Sequence, residues 1–300
     1  MKRYHSPFTI ILVFLFCISL AAQPKTERQP QAPATYTDSR GTVYPLSAVH
    51  RLVSLGPTVT ETICALGGED MLVGRTDYCN YPASVADIPS IGGILNPSVE
   101  KIIRLKPDLV IASSMVSDDV YRALEKAGVK AISINKEGTF EGTFGFIRDV
   151  GLVIGKKQEA ENLAASMHAQ LAAIQERYKN KPNRRVCFVV AFGTYDASAT
   201  GDTYLDEMIT LAGGINVAKD GRNWMFSKEQ LLLANPDVII LMGRMNDGKS
   251  DAQLLAEWND TKPYCDMKAE VKIIDGDLIG RQGPRTVQGI GELARLIHGE

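Results

Sequence analysis

One stretch of this chain occurs twice. Ser98-Val-Glu-Lys-Ile-Ile-Arg-Leu-Lys-Pro-Asp-Leu-Val-Ile-Ala112 is echoed, 129 positions later, by Ser227-Lys-Glu-Gln-Leu-Leu-Leu-Ala-Asn-Pro-Asp-Val-Ile-Ile-Leu241. Ser, Glu, Pro and Asp coincide, and apolar residues coincide at 102/231, 103/232 and the four positions after the Asp. Each copy predicts a short helix capped by its serine hydroxyl, a Pro-Asp break and a buried strand. The strands are unbroken apolar runs, as parallel strands covered on both faces require. The echo continues upstream, where Glu61-Thr-Ile-Cys-Ala-Leu-Gly-Gly68 resembles Glu207-Met-Ile-Thr-Leu-Ala-Gly-Gly214. Each of these reads as a helix closed by a glycine in the left-handed C-terminal position. The offset there is 146, so the first copy carries 17 extra residues, among positions 76–93. An ordered duplication of this kind predicts two related α/β lobes.

The termini and composition narrow the class. Lys2 and Arg3 precede an apolar run from Phe8 to Ala22 that ends in small residues. A basic start, a short apolar core and a small-x-small end predict a secretory signal peptide over 1–22, cleaved near Ala21/Ala22. The run is shorter than the roughly 20 residues that span a bilayer. Residues 23–35, with Pro24, Pro30 and Pro33 among polar side chains, read as a flexible linker. Formal net charge is −2, and loss of Lys2 and Arg3 takes it to −4; no basic run points to nucleic acid.

The expected domains are an N-terminal α/β lobe at 36–140, connecting helices at 141–180 and a C-terminal α/β lobe at 181–300. The N-terminal lobe opens with a hairpin over 36–46. It continues through a strand at 51–55, a helix in which Thr58 and Glu61 form a capping box, and strands at 71–74, 108–112 and 129–134. Gln158 to Tyr178 carry one apolar helical stripe. The C-terminal lobe is read as strands 185–190, 237–241 and 271–275, with helices 203–212, 227–234 and 285–298. The fold class is therefore two Rossmann-like lobes with mainly parallel sheets, joined by a long rigid helix, with a ligand cleft between them. Ligands in such sheets lie beyond the carboxyl ends of the strands.

No hydrolase elbow, phosphate loop, zinc-metalloprotease motif or Cys-x-x-Cys pair is present. Of four cysteines beyond the signal, Cys64 and Cys187 read as buried thiols, while Cys79 and Cys265 fall in loops. A bridge between the latter would tie the lobes together, which argues against it. The aromatic and arginine residues near the expected cleft suit a large planar or anionic small molecule. The candidate ligand residues are Tyr78, Tyr195, Trp224, Arg244, Asp277 and Arg281. Glu100 and Glu229, the second residues of the two repeated helices, would present a matched pair of carboxylates to a partner built of two like subunits.

Five segments carry a family likeness. They are Arg51-Leu-Val-Ser-Leu-Gly-Pro-Thr-Val-Thr-Glu61, Thr76-Asp-Tyr-Cys-Asn-Tyr-Pro82, Asn96-Pro-Ser-Val-Glu100, Lys106-Pro-Asp-Leu-Val110 and Gly283-Pro-Arg285. In order, they resemble the helical-backbone solute-binding proteins of ABC importers for cobalamin, ferric siderophores and haem, over roughly 36–298. The resemblance implies a non-enzymatic receptor in the periplasm or extracytoplasmic space, with no cofactor of its own. It would deliver a metal–organic chelate to a dimeric permease with its ATPase subunits. Glu100 and Glu229 match the family's permease-docking glutamates; Asp277 and Arg281 match cleft positions of cobalamin binders, and Tyr78 a cleft tyrosine. Arginines near the cleft favour a ferric chelate, then cobalamin, then haem. The contrasting expectations are an exported enzyme using Asp277 as a general base, or a redox-active cysteine protein.

Overall fold

The duplication in the sequence reappears as a duplication of sheet topology. The computed structural model describes residue 1 and residues 34–113, 115–136, 138–193, 195–243, 249–262 and 267–300, and residues 35–300 pack as one unit. Residues 2–33, Arg244 and Cys265 lie outside the described residues, and the linker expected over 23–35 ends before Thr35, which opens the first strand. A hairpin of β1 (Thr35–Thr37) and β2 (Val43–Pro45) leads into β3 (Leu52–Ser54), α1 (Pro57–Ala65), β4 (Leu72–Gly74) and α2 (Val99–Arg104). β5 (Leu109–Ala112), α3 (Asp118–Lys126) and β6 (Ala131–Ser133) follow. The chain then crosses through α4 (Phe140–Val153) and the 22-residue α5 (Lys157–Tyr178). Beyond the crossing come β7 (Arg184–Ala191), β8 (Ala197–Ser198), α6 (Tyr204–Leu211), β9 (Gly214–Asn216) and α7 (Lys228–Ala234). β10 (Val238–Met242), α8 (Asp251–Asp260), β11 (Glu270–Ile274), α9 (Gly276–Ile279) and α10 (Thr286–His298) complete it.

The first sheet runs β4-β3-β5-β6, all parallel. In the second, β7 pairs in parallel with β9 and β10, and β10 with β11, giving the same order; β8 adds an antiparallel edge. The Pro-Asp signature has a physical reason in both copies. Asp108 accepts the backbone N–H groups of His50 and Arg51 at 2.8 and 2.9 Å, and Asp237 accepts that of Arg185 at 2.8 Å. Each carboxylate thus pins the start of the neighbouring strand, β3 or β7. Those backbone hydrogen bonds hold the Asp108 carboxyl below its usual pKa. The residue before each proline, Lys106 or Asn235, adopts positive φ, and Gly67 and Gly213 take the left-handed position predicted for them.

Two expectations need correction. Residues between β10 and β11 include helix α8, opened by a Ser250/Gln253 capping box that went unread in the sequence. It stands where α3 stands in the first copy, so extending the repeat would have found it. The Thr58/Glu61 capping box does not form: Gly56 precedes Pro57 at the first helical position, and no side chain caps α1. The second-copy box, Ser227 with Gln230, is present, and Ser98 caps α2 through the Lys101 N–H.

Three apolar clusters explain how the lobes hold together. One covers the outer face of the first sheet around Val53, Val110 and Leu124, and another that of the second around Cys187, Ile239 and Trp258. The third runs without a break from Leu52 and Ile63 through Phe144 and Met167 to Phe188 and Ile290. The inner faces of both lobes therefore share one core, built on α4, α5 and α10. His168 stacks on Phe144 at 4.0 Å and serves this packing.

Candidate functional site

The C-terminal ends of β3 and β5 in the first sheet, and the segment that follows β11 in the second, border a cleft of about 380 Å³, partly open to solvent. The β3–α1 turn contributes Gly56, Pro57 and Thr58, and the ends of β5 bring Ser113 and Met115. The inserted loop of the first copy brings Tyr78, and the residues just after it bring the apolar wall Ile94–Leu95. Tyr204 and the stretch from Asp277 to Gln282 form the opposite side.

The cleft floor is a buried ionic network across the lobes. Glu61 on α1 is 4% exposed and Arg281 6%. One Arg281 nitrogen donates to Glu61 Oε1 at 2.8 Å and to Asn80 Oδ1 at 2.7 Å; the other donates to Asp277 Oδ1 at 2.6 Å and to the Tyr78 carbonyl at 3.2 Å. Arg285 meets the same Glu61 side-on through Nε at 2.7 Å and a terminal nitrogen at 2.8 Å, and stacks over the Tyr81 ring at 4.1 Å. Asn80 closes the ring by donating to Asp277 Oδ2 at 2.6 Å. Burial alone would lower the Arg285 pKa, but the hydrogen bonds and charge of Glu61 outweigh it and raise it. Two guanidiniums face two carboxylates, so the network carries no net charge.

Of the residues expected at the ligand, Tyr78, Asp277 and Arg281 come together on this cleft. Tyr195 is 70% exposed and borders a separate hollow at the ends of β7 and β10. Trp224 stands edge-on behind Tyr204, ring centres 6.4 Å apart, and is not among the cleft-lining residues. Glu100 and Glu229 are exposed on α2 and α7. Sequence reasoning missed Glu61 and Tyr204; the hydroxyl of Tyr204 donates to the Ile279 carbonyl at 3.0 Å. Cys79 lies in its loop as expected, yet is 2% exposed and accepts a hydrogen bond from Thr60 at 3.1 Å. Burial pushes the Cys64 and Cys187 thiols up to about 12, which leaves them unreactive. No group of three or more potential metal ligands occurs among the described residues.

Residues 52–262 match the model of the periplasmic binding protein family. The chain belongs to that family. A substrate-binding lipoprotein of an ABC transporter from Bacillus subtilis is 34% identical, aligned over 83% of this chain and 80% of its own length. A vitamin B12-binding protein of Vibrio campbellii is 28% identical over 81% of this chain and 87% of that one. Among solved structures, an apo periplasmic haem-binding protein from Roseiflexus sp. RS-1 superposes with a TM-score of 0.71 at 28% identity, covering 84% of this chain and 99% of that one. The chain is accordingly a solute-binding protein of an ABC importer, not an enzyme, and acts outside the cytoplasm. No described helix is long and apolar enough to cross a membrane.

Proposed function

We propose that the cleft captures an uncharged, amide-rimmed metal–organic chelate of the corrinoid class. The observation behind this is the neutrality of the cleft floor. Arginines near the cleft argue for an anionic ferric chelate only if they are free. Arg281, the sole cation among the described lining residues, is committed to Glu61, Asp277 and Asn80. Haem, with two propionates, and anionic ferric siderophores would each bring uncompensated charge into a partly dry site, which costs several kcal/mol (roughly) without a partner. A corrinoid instead offers a broad apolar face to Ile94, Leu95 and Met115 and amides to Asp277 and Asn96. Tyr78, 42% exposed, supplies a stacking edge.

Tyr78, Asp277 and Arg281 are the ligand residues of this reading, Arg281 by holding Asp277 in place. Trp224 acts through Tyr204. Glu100 and Glu229 dock on a twofold permease, after signal removal near Ala21/Ala22.

Titration of the purified protein with cyanocobalamin, haemin and the trianionic ferric enterobactin, followed by calorimetry and visible spectra, tests the choice. Saturable one-to-one binding of cyanocobalamin, at least tenfold tighter than the other two, is expected. Tighter binding of haemin or ferric enterobactin overturns the corrinoid assignment, and chemical turnover of bound ligand overturns the receptor role.

A further inference from the structure

The two repeated helices carry more than a matched pair of acids. Three residues beyond each glutamate, on the same helical face, stands an apolar side chain left in water: Ile103 is 40% exposed and Leu232 is 42% exposed. One residue further the copies part. Position 104 is Arg, which forms an i,i+4 ion pair with Glu100. The matching position 233 is Leu, 86% exposed. Glu229 has no ion pair among the described residues. Its own backbone N–H and the Ser227 hydroxyl hold its carboxyl below the usual range, so it stays ionised.

Resting on the docking role of these glutamates, we infer that the C-terminal lobe is the anchor of the permease complex: Leu232 and Leu233 form an apolar collar around Glu229. The partner chemistry follows from charge and surface together. Each subunit of a twofold permease would present a cation rimmed by apolar side chains. At α7 that cation meets a bare carboxylate, and the two leucines shield the pair from water, where its attraction is stronger. At α2 the same cation must compete with Arg104, and only Ile103 offers cover. Two equal permease subunits are thus gripped unequally.

The test uses the full chain and its cognate permease–ATPase complex in nanodiscs, with cleft affinity for cyanocobalamin as the control for folding. Leu232→Ser with Leu233→Ser should weaken docking tenfold or more, and Ile103→Ser threefold or less, with the cleft unaffected. Leu233→Arg, which copies the α2 arrangement, should weaken docking about as much as the double serine variant. If the double serine variant docks like wild type while Glu100→Ala with Glu229→Ala does not, the collar is wrong and the glutamate reading stands. If the double alanine variant itself docks normally, the docking reading falls first. Self-association of the wild type that the serine variant lacks would assign the patch to a second copy and overturn the inference.

Discussion

The two lobes brace each other through equivalent glutamates used in different ways. Glu61 on α1 of the first lobe reaches the entrance of α10 and is gripped there by two arginines. Its counterpart, Glu207 on α6 of the second lobe, reaches the entrance of α4, where Oε2 accepts the Phe140 N–H at 2.6 Å. Helices α4 and α10 hold the same place after their sheets, so each lobe's first helix holds the other lobe's last one. One brace is a carboxylate at a helix N-terminus, favoured by the peptide dipoles. The other is a buried charge cluster lining the cleft. Gln282 adds a third tie, accepting from Gly138 N–H at 2.9 Å and donating to the Thr139 carbonyl at 3.0 Å. The two copies of this glutamate thus make a charged joint at the cleft and a simple helix cap.

Removing the carboxylates separates these roles. Glu61→Ala leaves two largely buried guanidiniums without their main partner and should cost about 3–5 kcal/mol in urea unfolding. Glu207→Ala loses one hydrogen bond to a charged acceptor, about 1.5–3 kcal/mol. Equal losses would mean that the braces are energetically alike. A smaller effect probes the shared part of the repeat. Asp108→Ala loses two backbone donors and Asp237→Ala one, so the first should cost more than the second by about 0.5–1.5 kcal/mol. Equal losses would mean that the second hydrogen bond to Asp108 adds nothing to the stitch.

The smallest expected effect is a stability slope between pH 8 and pH 5 that arises at His298 in the second lobe. Burial lowers the pKa of His298, whose ring lies 3.2 Å from the Ala212 carbonyl, and α4 has no histidine at all. A base with a depressed folded pKa gains its proton first in the unfolded chain. Stability should therefore fall as pH drops through the ordinary histidine value of about 6.5, levelling once the folded ring protonates. Melting curves between pH 8 and pH 5 should show this slope, and His298→Gln should flatten it. An unchanged slope in that variant would clear His298 of the effect.

Much of the architecture was legible because it depends on neighbours in sequence. The apolar runs, serine caps, Pro-Asp breaks and closing glycines act within a few residues, and so their periods and spacings declare them. Glu61 was misread for the same reason. An acid three residues after a threonine near a helix start looks like a local cap, and nothing nearby announces partners 220 and 224 positions away. Arg281 was found as a cleft residue, but its free charge was inferred from type alone, and its partners were invisible. Trp224 drew notice as an aromatic near the cleft, whereas Tyr204, which it packs against, is the one that joins Tyr78 in lining it.

The sequence alone determined two copies of one α/β unit, their parallel strands, the helical crossing and the exposed carboxylates of α2 and α7. Only tertiary structure decided that the cleft floor is neutral. Charge in a site is a sum over every group that burial brings together, and no short window of sequence contains that sum.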